Sequence, residues 1–330
     1  METQKEQPSK IIDENRQLSQ LPFGNVLGAG FLAVLFFGAL ATTAVYIFPL
    51  ENPESQVAAA ATVYNPYENM TLAATSAIVI DLTNGKTLYS LNPDTQLPLA
   101  SLTKIALVLA VSEVLPPDDI LLAKRDITSA GGAQILPAGE LWRVQDIINA
   151  VLVTSSNNGA EFLAEAANGF LQERFPEVPD DNVTLWRMNA LAQDLGLKQT
   201  YFLSVNGLDV SETLASAYGS ARDMATLFTH AFETRSAVFS GTAREESLFT
   251  SVNGAQGSVA RNTNELTGII PELIMGKTGF TDLAGGNLVV IFDVGIVHPV
   301  VAVILGSTQE GRFEDMQKLV NVTRFLIATE

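Results

Sequence analysis

Apolar residues recur at strand or helix spacing along most of the chain after residue 73, and this pattern predicts a mixed domain. Runs at 77–82 and 86–90 flank Asn84-Gly85, a dipeptide typical of a two-residue type I′ hairpin turn. Later strand-like runs lie at 273–275, 287–294 and 300–305. We expect strands from both ends of the chain to form one antiparallel sheet.

The middle of the chain has helical periodicity instead. An apolar run at 105–111 predicts a buried helix that opens near Ser101. Ser220 is placed to cap a helix at its N-terminus and Gly196 to end another. Apolar faces at helical spacing predict further helices around 144–152, 185–195, 224–231 and 313–326. The expected fold class is α/β (α+β), an antiparallel sheet with a helical subdomain beside it.

One segment, 17–50, contains no charged residue, and its centre is long enough to cross the ~30 Å hydrocarbon layer as a helix. Basic residues precede this segment, whereas the next one after it is Lys86. The excess of basic residues before a span marks the cytoplasmic side. We therefore expect a single-pass protein of the plasma membrane with its bulk outside the cytoplasm.

The predicted organisation has four parts: a cytoplasmic tail at 1–22, a transmembrane helix at 23–50, a linker at 51–72 and a catalytic domain at 73–330. A cleaved signal peptide is the alternative, because the alanine run at 58–61 could satisfy a small-residue cleavage rule. The polar lead of the chain and the length of the apolar core favour a retained anchor.

Composition narrows the possible functions. The 330 residues are 47% hydrophobic, which supports a sizeable core. The formal net charge is −17 without a lysine-arginine cluster, so nucleic acid is not an expected partner. An anionic substrate must instead be bound by a local positive site. Because the chain has no cysteine, thiol chemistry and thiolate metal sites are excluded.

Ser101 and Lys104 stand three positions apart, so on a helix they would be neighbours. Taken alone, such a serine is more often a cap and such a lysine more often solvated. A serine nucleophile needs a positioned base, and both His230 and His298 lie in structural contexts. A lysine can act as the base when burial and a second cation lower its pKa from ~10.4. Lys277 is the candidate second cation.

Two further polar clusters interrupt the apolar pattern. The first, 154–159, reads Thr-Ser-Ser-Asn-Asn-Gly between two predicted helices, and the second, 275–280, reads Met-Gly-Lys-Thr-Gly-Phe in a late strand. Separately, the first could be a helix stop followed by a cap and the second a strand edge. Together with Ser101 and Lys104 they give Ser-x-x-Lys, Ser-x-Asn and Lys-Thr-Gly in this order.

These ordered motifs are those of serine acyltransferases that react with penicillin. The chain resembles the low-molecular-mass penicillin-binding proteins, the D-alanyl-D-alanine carboxypeptidases, from about Ala73 to its end. Stretches that carry the likeness outside the three motifs lie at 195–202, 206–208, 281–285, 303–306 and 312–315. The resemblance implies a β-lactamase/transpeptidase-like fold and a peptidase that trims peptidoglycan pentapeptide stems. It also implies covalent inhibition by β-lactams and no metal or other cofactor.

The resemblance assigns catalytic roles to the first two motifs. Ser101 would attack the carbonyl of the penultimate D-alanine while Lys104 takes its proton. Ser155 would relay a proton to the leaving amine, and Asn157 would hold the substrate amide.

The third motif would bind the substrate. Lys277 and Thr278 would hold the terminal carboxylate. The backbone N–H groups of Ser101 and Phe280 would bind the oxyanion. Gly279 would let the strand approach the substrate without a side chain in the way.

Some positions depart from the family pattern. Ser156 stands where glycine is common, Asn158 where aspartate is common, and Gly286 where the residue is often aromatic. We expect these changes to affect pocket shape more than reaction class. Relatives often carry a β-rich second domain and a C-terminal anchor, whereas this chain ends with the helix predicted at 313–326. We therefore expect the N-terminal span to serve as the anchor.

Three alternatives stay open. A DD-endopeptidase would cut peptide cross-links with the same motifs. A class A β-lactamase would need a Glu-x-x-Leu-Asn pattern, and the nearest stretch, 245–249, lacks the asparagine. A non-catalytic wall-binding scaffold could keep the fold, although it would not require all of Ser101, Lys104, Ser155 and Lys277.

Overall fold

A computed structural model describes residues 65–178, 182–254 and 257–329. The helices in this part of the chain are α1 Thr103–Val111, α2 Val144–Val153, α3 Asn157–Arg174, α4 Val183–Asp194, α5 Ala221–Phe239 and α6 Gly311–Thr329. The long strands are β1 Ser76–Asp81, β2 Thr87–Leu91, β10 Glu246–Thr250, β11 Gly257–Arg261, β12 Leu273–Thr281, β13 Gly285–Asp293 and β14 Pro299–Ser307. Short strands lie between them: β3 Leu97–Pro98, β4 Ile120–Leu122, β5 Ile127–Thr128, β6 Gln134–Leu136, β7 Leu141–Arg143, β8 Tyr201–Phe202 and β9 Ala217–Gly219.

The central sheet joins the two ends of the described chain, as predicted. Its order is β12-β13-β14-β1-β2 with antiparallel neighbours, and Val303 of β14 faces both Ile78 and Val289. Because successive strand residues point to opposite faces, the sheet buries an apolar layer on each side. One layer includes Ile78, Val289 and Val303 and continues into the helical middle, and the other meets α6. Strand β12 lies at one edge of the sheet.

The helix predictions are confirmed at several ends. Ser220 caps α5 by accepting a hydrogen bond from the N–H of Asp223 at 3.1 Å. Gly196 follows α4 with a φ of +68°, and the N–H of Leu197 returns to the carbonyl of Ala192. This is the glycine-terminated helix end that the sequence predicts.

The first hairpin is present, but the predicted turn type is wrong. The connection runs from Leu82 to Lys86, and Gly85 but not Asn84 has a positive φ, whereas a type I′ turn requires both. The Asp81 carboxylate accepts hydrogen bonds from the N–H and hydroxyl of Thr83 and the amide of Asn84, at 2.6–2.8 Å. These side-chain contacts favour a wider loop over a two-residue turn.

The compact unit begins at Asn65, eight residues before the start of the predicted catalytic domain at residue 73. Tyr67 is buried, its ring lies 5.2 Å from that of Tyr89, and its hydroxyl lies 2.7 Å from that of Thr323 on α6. Burial of this aromatic side chain ties 65–72 to the fold. The predicted tail 1–22, transmembrane helix 23–50 and linker up to 64 lie outside the described residues. Within the described ranges, none of the helices combines the length and hydropathy of a membrane span.

Candidate active site

Ser101 lies in a 3₁₀ turn, Ala100–Leu102, that leads directly into α1. Ala100 has a φ of +49°, a conformation that needs support from its surroundings. Gly207 supplies part of it, because a Cβ there would collide with the Ala100 carbonyl. The turn thus holds the half-buried Ser101 side chain at the N-terminal end of the helix.

Lys104 lies on the first turn of α1 and is fully buried. Its Nζ donates to Ser101 Oγ at 2.7 Å, to Asn157 Oδ1 at 2.9 Å and to the main-chain carbonyl of Asn206. The predicted neighbour relation of Ser101 and Lys104 is confirmed. These partners account for all the donors of an ammonium group.

The electrostatic setting of Lys104 suits proton exchange. Burial lowers the pKa of this amine from 10.5 to about 7, and the negative charge of Glu161 opposes part of the decrease. Near neutral pH the neutral and protonated forms of Lys104 are both accessible. The neutral amine can accept a proton from Ser101 Oγ through their existing contact.

The second motif occupies the sharp junction between α2 and α3. Ser155 is buried and has a φ of +58°. Ser156 caps α3 by accepting from the N–H of Gly159 at 3.0 Å, so the helix begins at Asn157, inside the polar cluster rather than after it. Asn158, the second departure from the family pattern, accepts from the N–H of Thr128 at 3.1 Å. These contacts hold the junction that carries Ser155 and Asn157.

The third motif lies inside edge strand β12, which extends past the predicted end at residue 275. Lys277 is buried, and its Nζ donates to Ser155 Oγ at 3.0 Å and to the carbonyl of Thr278 at 2.8 Å. The hydroxyls of Thr278 and Thr263 are 2.6 Å apart. The structure therefore joins the second and third motifs through a direct lysine–serine contact.

The predicted influence of Lys277 on Lys104 is not the one that the structure shows: burial is what lowers the pKa of Lys104, and it is Lys104 that acts on Lys277. Burial lowers the pKa of Lys277 well below its usual value, and the positive charges of Lys104 and Arg312 lower it further. Arg312 is itself buried on α6 and donates to the carbonyl of Gly279 at 2.8 Å. Arg312 thus places a guanidinium group beside the third motif within a strongly acidic chain.

Gly279 and Phe280 bring the edge strand against the nucleophile turn. A Cβ on Gly279 would lie 2.9 Å from the Leu99 carbonyl oxygen and 3.3 Å from the Ser101 nitrogen. A side chain at this position would therefore collide with the turn from Leu99 to Ser101, a packing reason for glycine that the sequence did not predict. The Phe280 side chain is exposed, and the Arg312 guanidinium lies 6.0 Å from its ring centre.

Sequence reasoning assigned no role to Asn206, Thr263 and Arg312. Asn206 contributes its main-chain carbonyl to Lys104, and no chemical motif in the sequence pointed to this contact. Thr263 and Arg312 come from distant parts of the chain and reach the site only through tertiary packing. Gly286 also has a packing reason, because a Cβ there would collide with the Thr308 carbonyl, so an aromatic residue would not fit.

Other candidate residues lie elsewhere. His298 Nε2 is 3.0 Å from Asp81 Oδ2, at the end of the sheet opposite Phe280. The stretch at 245–249 includes the start of β10, and Glu246 pairs with Arg261 of β11 at 3.3 Å. These contacts agree with a structural role for His298 and with a surface role for Glu246.

Comparisons with known proteins identify a family for this chain. The family described as D-alanyl-D-alanine carboxypeptidase matches residues 60–309. D-alanyl-D-alanine carboxypeptidase DacF of Bacillus subtilis is 30% identical over 255 residues, which cover 75% of this chain and 61% of that protein. A D-alanyl-D-alanine endopeptidase of Pseudomonas aeruginosa is 31% identical over 223 residues, 66% of this chain and 66% of that protein. The chain thus spans about three fifths of the length of the Bacillus subtilis relative.

A solved structure supports the fold as well. Penicillin-binding protein D2 of Listeria monocytogenes, determined with ampicillin bound, matches with a TM-score of 0.62 and 30% identity. The match covers 77% of this chain and 98% of that chain. The mixed fold is therefore similar to that of penicillin-binding proteins. With the family match over most of its length, the chain belongs to the D-alanyl-D-alanine carboxypeptidase family.

Proposed function

We propose that the chain is a serine D-alanyl-D-alanine carboxypeptidase that removes the terminal D-alanine from peptidoglycan pentapeptide stems. The observation that carries the proposal is the 2.7 Å contact between Ser101 Oγ and the buried amine of Lys104. Lys277 and Ser155 stand beside this pair through their own contact at 3.0 Å. A wall-binding scaffold would not need a nucleophile, its base and a second lysine–serine pair.

In the proposed acylation step, Ser101 Oγ bonds to the carbonyl carbon of the penultimate D-alanine. Its proton passes to Lys104 Nζ, and the carbonyl electron pair moves onto the oxygen. The N–H groups of Ser101 and Phe280 stabilise this oxyanion. The carbonyl then re-forms, the C–N bond breaks, and the amine of D-alanine takes a proton through Ser155.

Substrate orientation falls to the third motif and to Asn157. The terminal carboxylate of the stem binds beside Lys277 and Thr278, where the Arg312 guanidinium adds positive charge. Buried cations attract a carboxylate far more strongly than exposed cations, because little water screens them. Asn157 is held by its contact with Lys104. Its side chain accepts hydrogen bonds from the substrate amide or donates them to it.

In the second half of the reaction, water attacks the ester carbon of the acyl-enzyme. One water proton returns to Ser101 Oγ as the ester bond breaks, and the shortened peptide leaves as a carboxylic acid. In this step the neutral amine of Lys104 again takes up the proton, here from the water, and passes it to Ser101 Oγ. A β-lactam would acylate Ser101 in the same way, in line with the ampicillin-bound relative.

A DD-endopeptidase is the second candidate function. The Pseudomonas aeruginosa relative is named as a D-alanyl-D-alanine endopeptidase and is as similar to this chain as the carboxypeptidase relative. Both reactions break an amide bond on the carboxyl side of the same D-alanine. The two functions would use the same proposed residues and differ in the group that leaves, a free D-alanine or a second peptide stem.

The proposed location is the plasma membrane, with the segment 23–50 as a single-pass anchor and the catalytic domain outside the cytoplasm. The uncharged sequence of 17–50 and the basic residues before it support this location. Substrate on the peptidoglycan would then be within reach of the tethered domain.

The test uses the full chain, incubated with a digest that contains pentapeptide monomers and cross-linked dimers. Mass spectrometry tracks the products, with a Ser101→Ala variant alongside. We expect the pentapeptides to lose one alanine and the variant to be inert. Cleavage of dimers would assign the endopeptidase function. If the folded protein changes neither species, the peptidase proposal is wrong.

A further inference from the structure

Glu161 places a carboxylate beside the catalytic lysine. It lies four positions after Asn157 on α3, so both side chains share one helix face. Its Oε1 accepts a hydrogen bond from the Asn206 side-chain amide at 2.9 Å. The main-chain carbonyl of the same Asn206 receives the Lys104 amine. A single residue therefore connects the carboxylate to the amine.

The segment around Asn206 depends on this side-chain amide. Asn206 Oδ1 accepts from the N–H of Leu208 at 2.9 Å and from the hydroxyl of Ser204 at 3.1 Å. Gly207, next in the chain, lies against the Ala100 carbonyl with a φ of +82°. Glu161 accepts a hydrogen bond from Nδ2 of the same amide, so both polar atoms of the Asn206 side chain are bonded. Its contact thus holds the segment in the position that presents the carbonyl to Lys104.

We propose that Glu161 is a positioning residue for the Ser101–Lys104 pair. Through Asn206 it holds the carbonyl that receives the Lys104 amine, and its negative charge favours the protonated form of that amine. This inference rests on the acyl-transfer function proposed above and adds a residue outside the three motifs.

The chemistry needs such an opposing charge. Lys104 must take a proton from Ser101 and later give one back, so its neutral and protonated states must both be accessible. Burial disfavours the protonated amine, and the other basic groups of the site are Lys277 on β12 and Arg312 on α6. The negative charge of Glu161 favours the protonated amine and so raises the pKa of Lys104. Arg125, whose Nη1 is 4.0 Å from Glu161 Oε2, moderates this charge, and Arg125 also binds Glu165 at 2.6 Å.

Glu165 offers a matched control. It lies one helical turn beyond Glu161, carries the same charge and shares Arg125, but its carboxylate accepts from this arginine rather than from Asn206. The variants Glu161→Gln and Glu165→Gln therefore remove one charge each from the same helix surface. Of these two residues, only Glu161 contacts Asn206, whose carbonyl accepts a hydrogen bond from Lys104.

The first experiment measures the rate of acylation by a fluorescent penicillin as a function of pH in both variants and the unchanged protein. Without the Glu161 charge, neutral Lys104 persists to lower pH. We expect the midpoint of the rate profile to move down by about half to one pH unit in Glu161→Gln. The profile of Glu165→Gln should stay in place. Because Glu161 is 43% exposed, salt of roughly 1 M should reduce the shift.

The second experiment does not depend on activity. NMR of protein labelled with ¹³C at the lysine ε-carbons monitors the titration of Lys104, and Lys104→Arg identifies its signal. We expect the titration midpoint to fall in Glu161→Gln but not in Glu165→Gln. An unchanged midpoint would overturn the role of Glu161 even if acylation is normal. A lowered midpoint in a protein that no penicillin acylates would support the role of Glu161 and overturn the proposed function instead.

Discussion

At the scale of single residues, burial of the Lys104 amine lowers the stability of the folded protein. A fully buried amine loses the hydration that stabilises its charge, and this loss lowers its pKa to about 7. The same burial makes it a base that works near neutral pH. Burial of Lys104 therefore favours catalysis and lowers stability.

The pH dependence of stability is set by that pKa. Between about pH 7 and 10.5 the unfolded chain holds a proton on Lys104 that the folded chain has released. The free energy of unfolding must then rise with pH in this window, and the full penalty is present below pH 7. In Lys104→Met we expect the rise between pH 7 and 10 to be smaller by about 3 kcal/mol. Acylation should also be lost.

Urea unfolding at several pH values, monitored by fluorescence of the buried Trp142, measures this difference. Comparison of the two proteins removes the contribution of titrating groups that do not interact with Lys104. Parallel pH curves for the variant and the unchanged protein would show that Lys104 does not titrate in this window.

At the scale of elements, what could be predicted depended on how local the cause was. The helices and sheet strands arise from apolar periodicity, and Ser101 meets Lys104 because positions three apart share a helix face. The hairpin turn at Asn84 could not be predicted, because the Asp81 side chain reorganises the loop. The contact of Asn206 with Lys104 was equally hidden, since it joins residues that only the tertiary fold brings together.

The approach of β12 to the Ser101 turn is the element contact on which the proposed oxyanion site depends. In Gly279→Ala, the added Cβ would lie 2.9 Å from the Leu99 carbonyl, so the strand or the turn must move. We expect acylation by a fluorescent penicillin to fall by about two orders of magnitude, since removal of one oxyanion donor typically costs about 10²–10³ in rate. The free energy of unfolding should fall by about 1 to 3 kcal/mol.

Gly169→Ala is the control for this change. Gly169 is exposed on α3, and a Cβ there meets nothing within 4 Å. Alanine should stabilise this helix position by about 1 kcal/mol without changing acylation. Equal acylation rates in Gly279→Ala and Gly169→Ala would refute a close strand–turn contact at the site.

At the scale of the whole molecule, the field of the chain opposes its proposed substrate. The net charge is −17, whereas the buried site contains the basic side chains of Lys277 and Arg312. An anionic stem or penicillin must cross a repulsive region before it meets the local attraction. At 0.1 M salt the Debye length is about 10 Å, so repulsion at longer range is largely screened. Buried charges are screened much less.

We therefore expect added salt to speed encounter. Between roughly 10 and 200 mM salt, the second-order rate constant for acylation by a singly charged penicillin should rise about twofold to threefold. A doubly negative penicillin should show a larger rise and a zwitterionic one a smaller rise. Stopped-flow fluorescence with the three compounds measures this order. A rate that falls with salt for the anionic compounds would mean that the positive site, rather than the net charge, controls the approach of substrate.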